Sequence, residues 1–306
     1  MKLRSLWTLM RQTYSEWSDD NALRLSAALS YYALFSLAPL FLLILSVAGL
    51  VFGQDAARGD IAKEIHTLAG KQAADAIQSV VRSTGNKSTS LLATVIGLIV
   101  LLFGASGVFG ELKAALNLIW GVTLKPGSWT GLVRERFLSF SLVLGIGFLL
   151  LTSLVISAVV TGVSTYLGNR LPLPGFVWQM TDLLVSFGII TVLFAMIFKI
   201  LPNVAIGWED VAIGAMGTAF LFTIGKFLIG IYLGRSSVTS SYGAAGSAVI
   251  LLLWVYYSSC ILFFGAEFTK VYARMFGSGI VPDKRALRVD DVLRARLANA
   301  ADKPQI

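Results

Sequence analysis

Two membrane-length apolar segments in the last third of the chain most constrain its fold. They cover residues 211–234 and about 243–266, and the second contains no charge before Glu267. Because an α-helix rises about 1.5 Å per residue, each segment is long enough to cross a hydrocarbon core about 30 Å thick. One lysine, Lys226, lies within the first segment. The sequence therefore predicts two consecutive membrane-spanning helices, one of which carries a charge at membrane depth.

Four earlier apolar segments resemble these two. They cover residues 25–52, about 91–110, 137–167 and 182–200. Only 14% of the 306 residues are charged and 56% are hydrophobic, whereas about 25% of a soluble domain is charged. The chain is therefore expected to be an all-α integral membrane protein, a six-transmembrane-helix bundle over residues 25–267.

The segments outside the spans have their own patterns. Residues 1–24 place apolar side chains at helical spacing between basic ones, which predicts an N-terminal interfacial helix. Residues 53–90 repeat apolar positions every three or four residues, which predicts an amphipathic helical outer loop. Residues 268–306 are polar and basic, and are expected to form a tail.

The basic residues predict the orientation of the bundle. Six spans place both termini on one side, together with the loop after the second span and the loop after the fourth. Lysine and arginine are concentrated in these segments, although the 53–90 loop is basic as well. By the positive-inside rule, both termini are expected in the cytoplasm.

Several motifs resemble a known family in their order and sequence. They are AALSYYALFSLAPL in the first span, SGVFGELKAALNLIW at the end of the second, and GKFLIGIYLG followed by YGAAGSAVILLLWVYYSSCILFFGAEFTKVYAR. Over about residues 5–280 the chain is similar to the YihY/BrkB family of bacterial inner-membrane proteins. The resemblance implies a multi-pass inner-membrane protein with six helices and both ends cytoplasmic. Family names invoke serum resistance and, historically, ribonuclease BN, and some relatives have been associated with lipid handling in the envelope.

The chemistry needed by a ribonuclease is not evident in the sequence. Metal-dependent hydrolysis needs clustered His, Asp or Glu ligands, but the only histidine is His66 and no HxHxDH or HExxH pattern occurs. Adjacent acids lie only at segment ends, where such pairs commonly cap helices: Asp19 with Asp20, Glu209 with Asp210, and Asp290 with Asp291. We therefore expect no enzymatic activity, no metal or other cofactor, and no nucleic-acid partner.

Lys226 is the main candidate for a functional side chain. A lysine within hydrocarbon costs roughly 2.5–3.5 kcal/mol on insertion scales, so it must snorkel, pair, or face water inside the bundle. In one interpretation its stem reaches the outer interface or its amine binds backbone carbonyls. In the other it forms a cationic site for an anionic group such as a lipid phosphate or a carboxylate. Gly225 and Gly230 would then let a headgroup or another backbone approach closely.

Two carboxylates, Glu111 and Glu267, lie at the predicted cytoplasmic ends of spans. Solvated helix termini are one interpretation. In the other, they contact substrate or form ion pairs that hold the inner face together, with these basic residues as partners: Arg134 and Arg136, or Lys113 and Lys270.

Hydroxyl groups and helix breakers complete the set of candidate residues. Tyr31, Ser36 and Tyr242 could contact a substrate, or instead form interhelical hydrogen bonds or an aromatic belt. Pro39 is a predicted flexible point, and the glycines on the fifth span, Gly225, Gly230 and Gly234, are predicted to allow close helix packing. Basic residues of the tail are expected to attract anionic lipid or to be merely solvated: Lys284, Arg285, Arg288, Arg294 and Arg296.

Two functions are consistent with these features. The preferred hypothesis is transport or translocation of an anionic or amphiphilic envelope molecule such as a lipid, with Lys226 as the anion contact. The alternative is a non-transporting scaffold or envelope-integrity protein that holds partners through its outer loop. Membrane lipids are the expected partners in either case, and homo-oligomerisation stays open.

Overall fold

The computed structural model describes residues 3–36, 75, 107–125, 175–235, 246–284 and 286–294. Several predictions lie outside these residues. They concern the third span, most of the first and second spans, and the 53–90 loop apart from the helical residue Asp75. They also concern these candidate residues: Pro39, Arg134, Arg136, Tyr242, Arg285 and Arg296.

Helices dominate the described part of the chain. They are α1 (Leu3–Asp19), α2 (22–36), α3 (107–119), α4 (Gly175–Ile200), α5 (Trp208–Arg235), α6 (Gly246–Met275) and α7 (289–294). The short strands are β1 (Val122–Leu124), β2 (Val204–Ala205), β3 (Val281–Pro282) and β4 (Ala286–Arg288).

Three of the described helices are long and apolar enough to cross a membrane. The apolar stretches are Leu183–Ile200 in α4, Trp208–Tyr232 in α5 and Ala248–Met275 in α6. They correspond to the fourth, fifth and sixth predicted spans. The last helix continues to Met275, well beyond the end predicted at Ala266, so the first residues assigned to the tail belong to α6.

Helices α5 and α6 pack through a reciprocal arrangement of two threonines and two glycines. Thr218 faces Gly265, and Thr269 faces Gly214. Each threonine hydroxyl donates to a glycine carbonyl of its own helix, Thr218 to Gly214 (2.7 Å) and Thr269 to Gly265 (2.6 Å). The missing side chains let the backbones approach closely, as is common between membrane helices. A second contact, between Gly225 and the side chain of Ile261, continues the packing toward the other end of the pair.

Aromatic side chains join α4 to this helix pair. Phe194 lies edge-on to Phe222 of α5 with ring centroids 5.7 Å apart, and Phe222 lies edge-on to Trp254 of α6 at 6.3 Å. Phe198, one turn after Phe194, is fully buried. The three candidate spans therefore share one apolar core.

Two short antiparallel sheets close one end of the bundle. Strand β1 pairs with β4, and β2 pairs with β3. We call this the capped end, formed by residues 117–125, 199–210 and 276–289. It joins the end of α3, the return from α4 to α5, and the segment after α6. In a six-span chain these three segments lie on the same side, as they do here.

Side-chain and backbone hydrogen bonds hold the capped end together. Asn117 accepts a hydrogen bond from the Asn203 backbone N–H (2.8 Å), and the Asn203 carbonyl accepts one from Asp283 (3.0 Å). Gly121, which follows α3 with a φ of 63°, accepts from the Val289 N–H (3.0 Å). The segment after α6 is thus folded back onto the bundle, whereas the sequence predicted only a polar tail.

Asp210 connects the start of α5 to the chain that follows α6. Its Oδ2 accepts hydrogen bonds from the backbone N–H of Ser278 (2.9 Å) and from the Ser278 hydroxyl (2.8 Å). Asp210 is buried, whereas its neighbour Glu209 is exposed, and both lie in the first turn of α5. As expected, this acidic pair is at a helix end, where carboxylates are favoured by the helix dipole.

Candidate functional site

Glu267 is fully buried in α6 with a charged partner one turn away. Its Oε2 accepts a hydrogen bond from Lys270 Nζ (3.1 Å), and its Oε1 has no hydrogen-bond partner among the described residues. The interpretation of Glu267 as a solvated helix terminus is wrong, because α6 continues two further turns past it. Of the alternative ion pairs considered from the sequence, the one between Glu267 and Lys270 is observed.

The Lys270 amine is the centre of a larger ionic cluster. Besides Glu267 it contacts Glu16 Oε2 at 2.9 Å and Asp20 Oδ2 at 3.6 Å. Arg274 forms a second ion pair with Glu16. The ionic cluster therefore contains three carboxyl groups and two cations, and it carries one net negative charge when all five are ionised.

Helix periodicity explains how these five side chains meet. Residues three, four and seven positions apart share a helix face. Glu267, Lys270 and Arg274 accordingly lie on one face of α6, and Glu16 and Asp20 lie on the facing side of the N-terminal helix and the turn after it. Neither helix contains the complete cluster, so it exists only where the two elements pack.

Apolar contacts hold α1 in this position. Leu9 and Thr13 of α1 are fully buried, and the Trp17 ring lies edge-on to Phe264 of α6 with centroids 6.3 Å apart. On the other side of α1, apolar side chains are exposed, including Trp7 at 72%. The N-terminal segment is therefore helical as predicted, with one face packed against α6 and another exposed.

Glu16 is held ionised by its partners. Burial tends to raise the pKa of its carboxyl group, but hydrogen bonds and charges from Lys270 and Arg274 outweigh that effect and lower the pKa below its ordinary value of 4.5. Glu16 therefore supplies a fixed negative charge at neutral pH.

Lys226 lies elsewhere on the same helix pair. It is half-buried in α5, and its Nζ is 5.7 Å from the ring centroid of Phe227, within the range of a cation–π contact. The adjacent Gly225 packs against Tyr257 and Ile261 of α6. From this register, Lys226 and Glu267 are about 15 Å apart along the pair, at 1.5 Å per residue, so the structure does not bring them together.

The remaining predicted site residues are dispersed. Ser36 is buried and donates to the Ala33 carbonyl of its own helix (3.2 Å). Tyr31 is 60% exposed and lies edge-on to Phe35, with ring centroids 5.0 Å apart, which is typical of an aromatic belt. Glu111 is half-buried in α3 and is not part of the ionic cluster. On α5, Gly230 is half-buried and Gly234 is helical.

The capped end presents basic side chains from the segment after α6. Lys284, Arg288 and Arg294 are exposed. Arg288 donates to the Ile280 carbonyl (3.0 Å), and Lys125 Nζ donates to the Lys284 carbonyl (2.8 Å). No group of three or more His, Cys, Asp or Glu side chains in the described residues has the geometry of a metal site.

Sequence reasoning missed three members of the ionic cluster: Glu16, Asp20 and Arg274. A signal was present, since Lys270 and Arg274 follow Glu267 on one helix face and Glu16 and Asp20 are four residues apart. What the sequence did not indicate was that the N-terminal segment packs against the last span, more than 240 residues later.

Comparison with known proteins identifies one family of membrane proteins. The family model described as Virulence factor BrkB matches residues 13–289. A UPF0761 membrane protein of Psychrobacter sp. (strain PRwf-1) is 24% identical over 289 residues, which are 94% of this chain and 52% of the relative. One of Pseudomonas paraeruginosa is 28% identical over 249 residues, 81% of this chain and 58% of the relative.

A shorter relative is covered more completely. A UPF0761 membrane protein of Pseudoalteromonas translucida is 26% identical over 256 residues, 82% of this chain and 81% of that protein. By contrast, the chain spans little more than half the length of the Psychrobacter and P. paraeruginosa relatives. No solved structure matches the chain. The family match over most of its length, together with three apolar membrane-length helices, establishes that the chain is a membrane protein belonging to the BrkB virulence-factor family.

Proposed function

We propose that the chain transports an anionic or amphiphilic envelope molecule, such as a lipid, across the bacterial inner membrane. The proposal rests mainly on one observation: the tightly packed pair of helices α5 and α6 contains ionisable side chains at two different depths. Lys226 is half-buried within α5, and Glu267 is fully buried within α6. Charged groups within spans are rare because of their cost, and commonly mark substrate or ion pathways.

In this proposal Lys226 attracts the negative headgroup of the transported molecule. The neighbouring Gly225 is packed against Tyr257 and Ile261 of α6, which fixes the position of Lys226 along the helix pair. A lysine amine is a compact cation with three donors, which suits a phosphate or carboxylate. The ionic cluster then lies closer to the capped end and holds α1 against α6.

The orientation of the protein is part of the proposal. We infer a multi-pass inner-membrane protein with both termini in the cytoplasm, so that the capped end is cytoplasmic. The shared location of residues 117–125, 199–210 and 276–289 supports this, as do the exposed basic side chains of that end. Those side chains would also favour contact with anionic lipid.

We also infer that the chain is not a nuclease and that nucleic acid is not its partner. In two of the acidic pairs one carboxyl group is held in the fold, whereas Glu209, Asp290 and Asp291 are exposed. Asp210 accepts two hydrogen bonds from Ser278, and Asp20 contacts Lys270. Membrane lipids are the proposed partners.

A non-transporting scaffold is the alternative, and one observation favours it. The reciprocal packing of Gly214 against Thr269 and of Gly265 against Thr218 leaves little room for α5 and α6 to move against each other. A scaffold needs such rigidity, whereas a transporter needs a second arrangement of other helices around the pair.

Reconstitution distinguishes the two functions. The 306-residue chain is incorporated into liposomes that contain a fluorescent anionic lipid, and movement between leaflets is followed against protein-free liposomes. Transport predicts faster movement with the wild type and a loss of that acceleration with Lys226→Ala. A matched control is Ile224→Ala, which shortens an exposed apolar side chain of the same helix without changing the charge. Movement no faster than in protein-free liposomes would contradict transport and favour the scaffold.

A further inference from the structure

The ionic cluster contains two buried carboxylate oxygens that accept no hydrogen bond, although one of them, Asp20 Oδ2, lies 3.6 Å from the Lys270 amine. Glu267 Oε1 and Asp20 Oδ2 are both buried and have no hydrogen-bond partner among the described residues. An unsatisfied buried acceptor costs about 1–3 kcal/mol, and more when it is charged. A pair of such acceptors in one cluster therefore indicates that a hydrogen is shared between them.

The two carboxyl groups are close enough to share it. Both flank the Lys270 amine, with Glu267 Oε2 at 3.1 Å and Asp20 Oδ2 at 3.6 Å, and the Asp20 side chain is a hydrogen-bonding neighbour of the Glu267 carboxyl group. Two ionised carboxylates at this separation repel, and one proton held between them converts the repulsion into an O–H···O hydrogen bond.

The charge balance of the cluster requires one further positive charge. Three carboxylates face two cations, and Glu16 remains ionised because Lys270 and Arg274 lower its pKa. On the face of α6 toward α5, Gly214 of α5 packs against Thr269 and Thr218 packs against Gly265. Within the described residues no other cation reaches the pair, so one proton would make the cluster neutral.

Water can reach one member of the pair. The Asp20 side chain is 28% exposed, whereas Glu267 is fully buried. Asp20 lies just after α1, and Asn21, with a φ of 52°, forms the turn into α2. A proton from bulk water would bind Asp20 first and then be shared with Glu267, and it would return to water by the same route.

We propose that Asp20 and Glu267 form a proton-binding site at the capped end of α6, bridged by Lys270. A bound proton keeps the cluster neutral and α1 packed against α6. Loss of the proton leaves a net negative charge in a buried site, which weakens that packing. The use of this site to drive transport rests on the proposed function, but the site itself does not.

Infrared spectroscopy tests the site directly. The full chain is prepared in D2O in a maltoside detergent, which has no carbonyl group, and the C=O band of protonated carboxyl groups is recorded near neutral pD. The wild type is expected to show this band. Glu267→Gln and Asp20→Asn are each expected to remove it, because the new amide N–H can supply the hydrogen that the proton supplied.

The two variants keep the test valid if one fails to fold, since Asp20 is partly exposed and outside α1. The matched control is Glu209→Gln, which removes an exposed carboxyl from the same end of the bundle and should retain the band. Absence of the band in the wild type, or its persistence in both cluster variants, would overturn the proton site.

A separate flux measurement tests whether the site is used. In liposomes, a pH gradient should change the rate of lipid movement by the wild type and should not change it in Glu267→Gln. An equal response of both proteins would overturn the coupling. If the wild type moves no lipid, the proposed function fails, while the infrared band still decides whether the proton site exists.

Discussion

Gly265 of α6 lies so close to Thr218 of α5 that a side chain at the glycine would overlap the threonine. A Cβ atom built at Gly265 would be 2.6 Å from Thr218 Cγ2 and 2.8 Å from Thr218 Cβ. The Thr218 side chain cannot turn away freely, because its hydroxyl donates to the Gly214 carbonyl (2.7 Å). Close packing at this point therefore depends on the absence of a side chain.

Gly265→Ala should destabilise the protein by about 1–3 kcal/mol, the range for overpacking a tight contact. The control is Gly217→Ala on α5, where the added methyl group would be 3.6 Å from the Phe268 ring, an ordinary contact. Thermal unfolding in detergent should show a clear loss of stability for Gly265→Ala and little change for the control. Equal behaviour of the two variants would contradict the proposed helix contact.

Glu16→Gln should lower stability at neutral pH and have a smaller effect in acid. The folded protein holds the pKa of Glu16 below 4.5, because the Lys270 and Arg274 contacts outweigh burial. A carboxyl with a lowered pKa contributes stability above its unfolded pKa, and that contribution is lost as the pH falls through the folded value. The side chain is partly exposed, so the expected difference is roughly 0.5–1 kcal/mol.

Thermal unfolding of the wild type and of Glu16→Gln across a pH series measures this difference. The difference in unfolding temperature between the two proteins should be largest above pH 4.5 and should become smaller below it. If this difference in unfolding temperature stays constant or grows in acid, Glu16 does not stabilise the fold through its ionised form.

Asp210→Ala should loosen the contact between the segment after α6 and the start of α5. The substitution leaves the Ser278 N–H and hydroxyl without their acceptor, a loss of roughly 2–3 kcal/mol for hydrogen bonds to a charged group. Glu209→Ala is the control, because this neighbouring acid is exposed. Limited proteolysis should cleave residues 276–294 faster in Asp210→Ala, and a rate equal to that of the control would contradict the role of Asp210.

The helices were easier to predict from the sequence than their ends and partners. Apolar length identifies the regions of α4, α5 and α6, since a long apolar run without charges is typical of a membrane span. The same rule predicted that the last span ends at Ala266, because Glu267 is the first charged residue after the apolar run. The helix continues since Lys270 and a helix from the other end of the chain compensate that charge.

The short strands of the capped end were not predicted, for a different reason. Strands β2 and β3 have two residues each, and β1 and β4 have three, too few to show an alternating pattern. Their pairing depends on residues far apart in sequence, such as Asn117 and Asn203. A single sequence does not indicate such contacts. The close packing of α5 against α6 beside Lys226 was indicated by Gly225, whose contact with Ile261 is observed.

The headgroup preference of lipid movement tests the central claim most directly. Wild-type protein in liposomes should move a fluorescent anionic lipid faster than a zwitterionic lipid with the same chains, because the Lys226 amine binds the net negative headgroup. Lys226→Gln keeps a side chain of similar length without the charge and should reduce the two rates to the same value. The account is contradicted if the wild type moves neither lipid, or if the preference for the anionic lipid survives in Lys226→Gln.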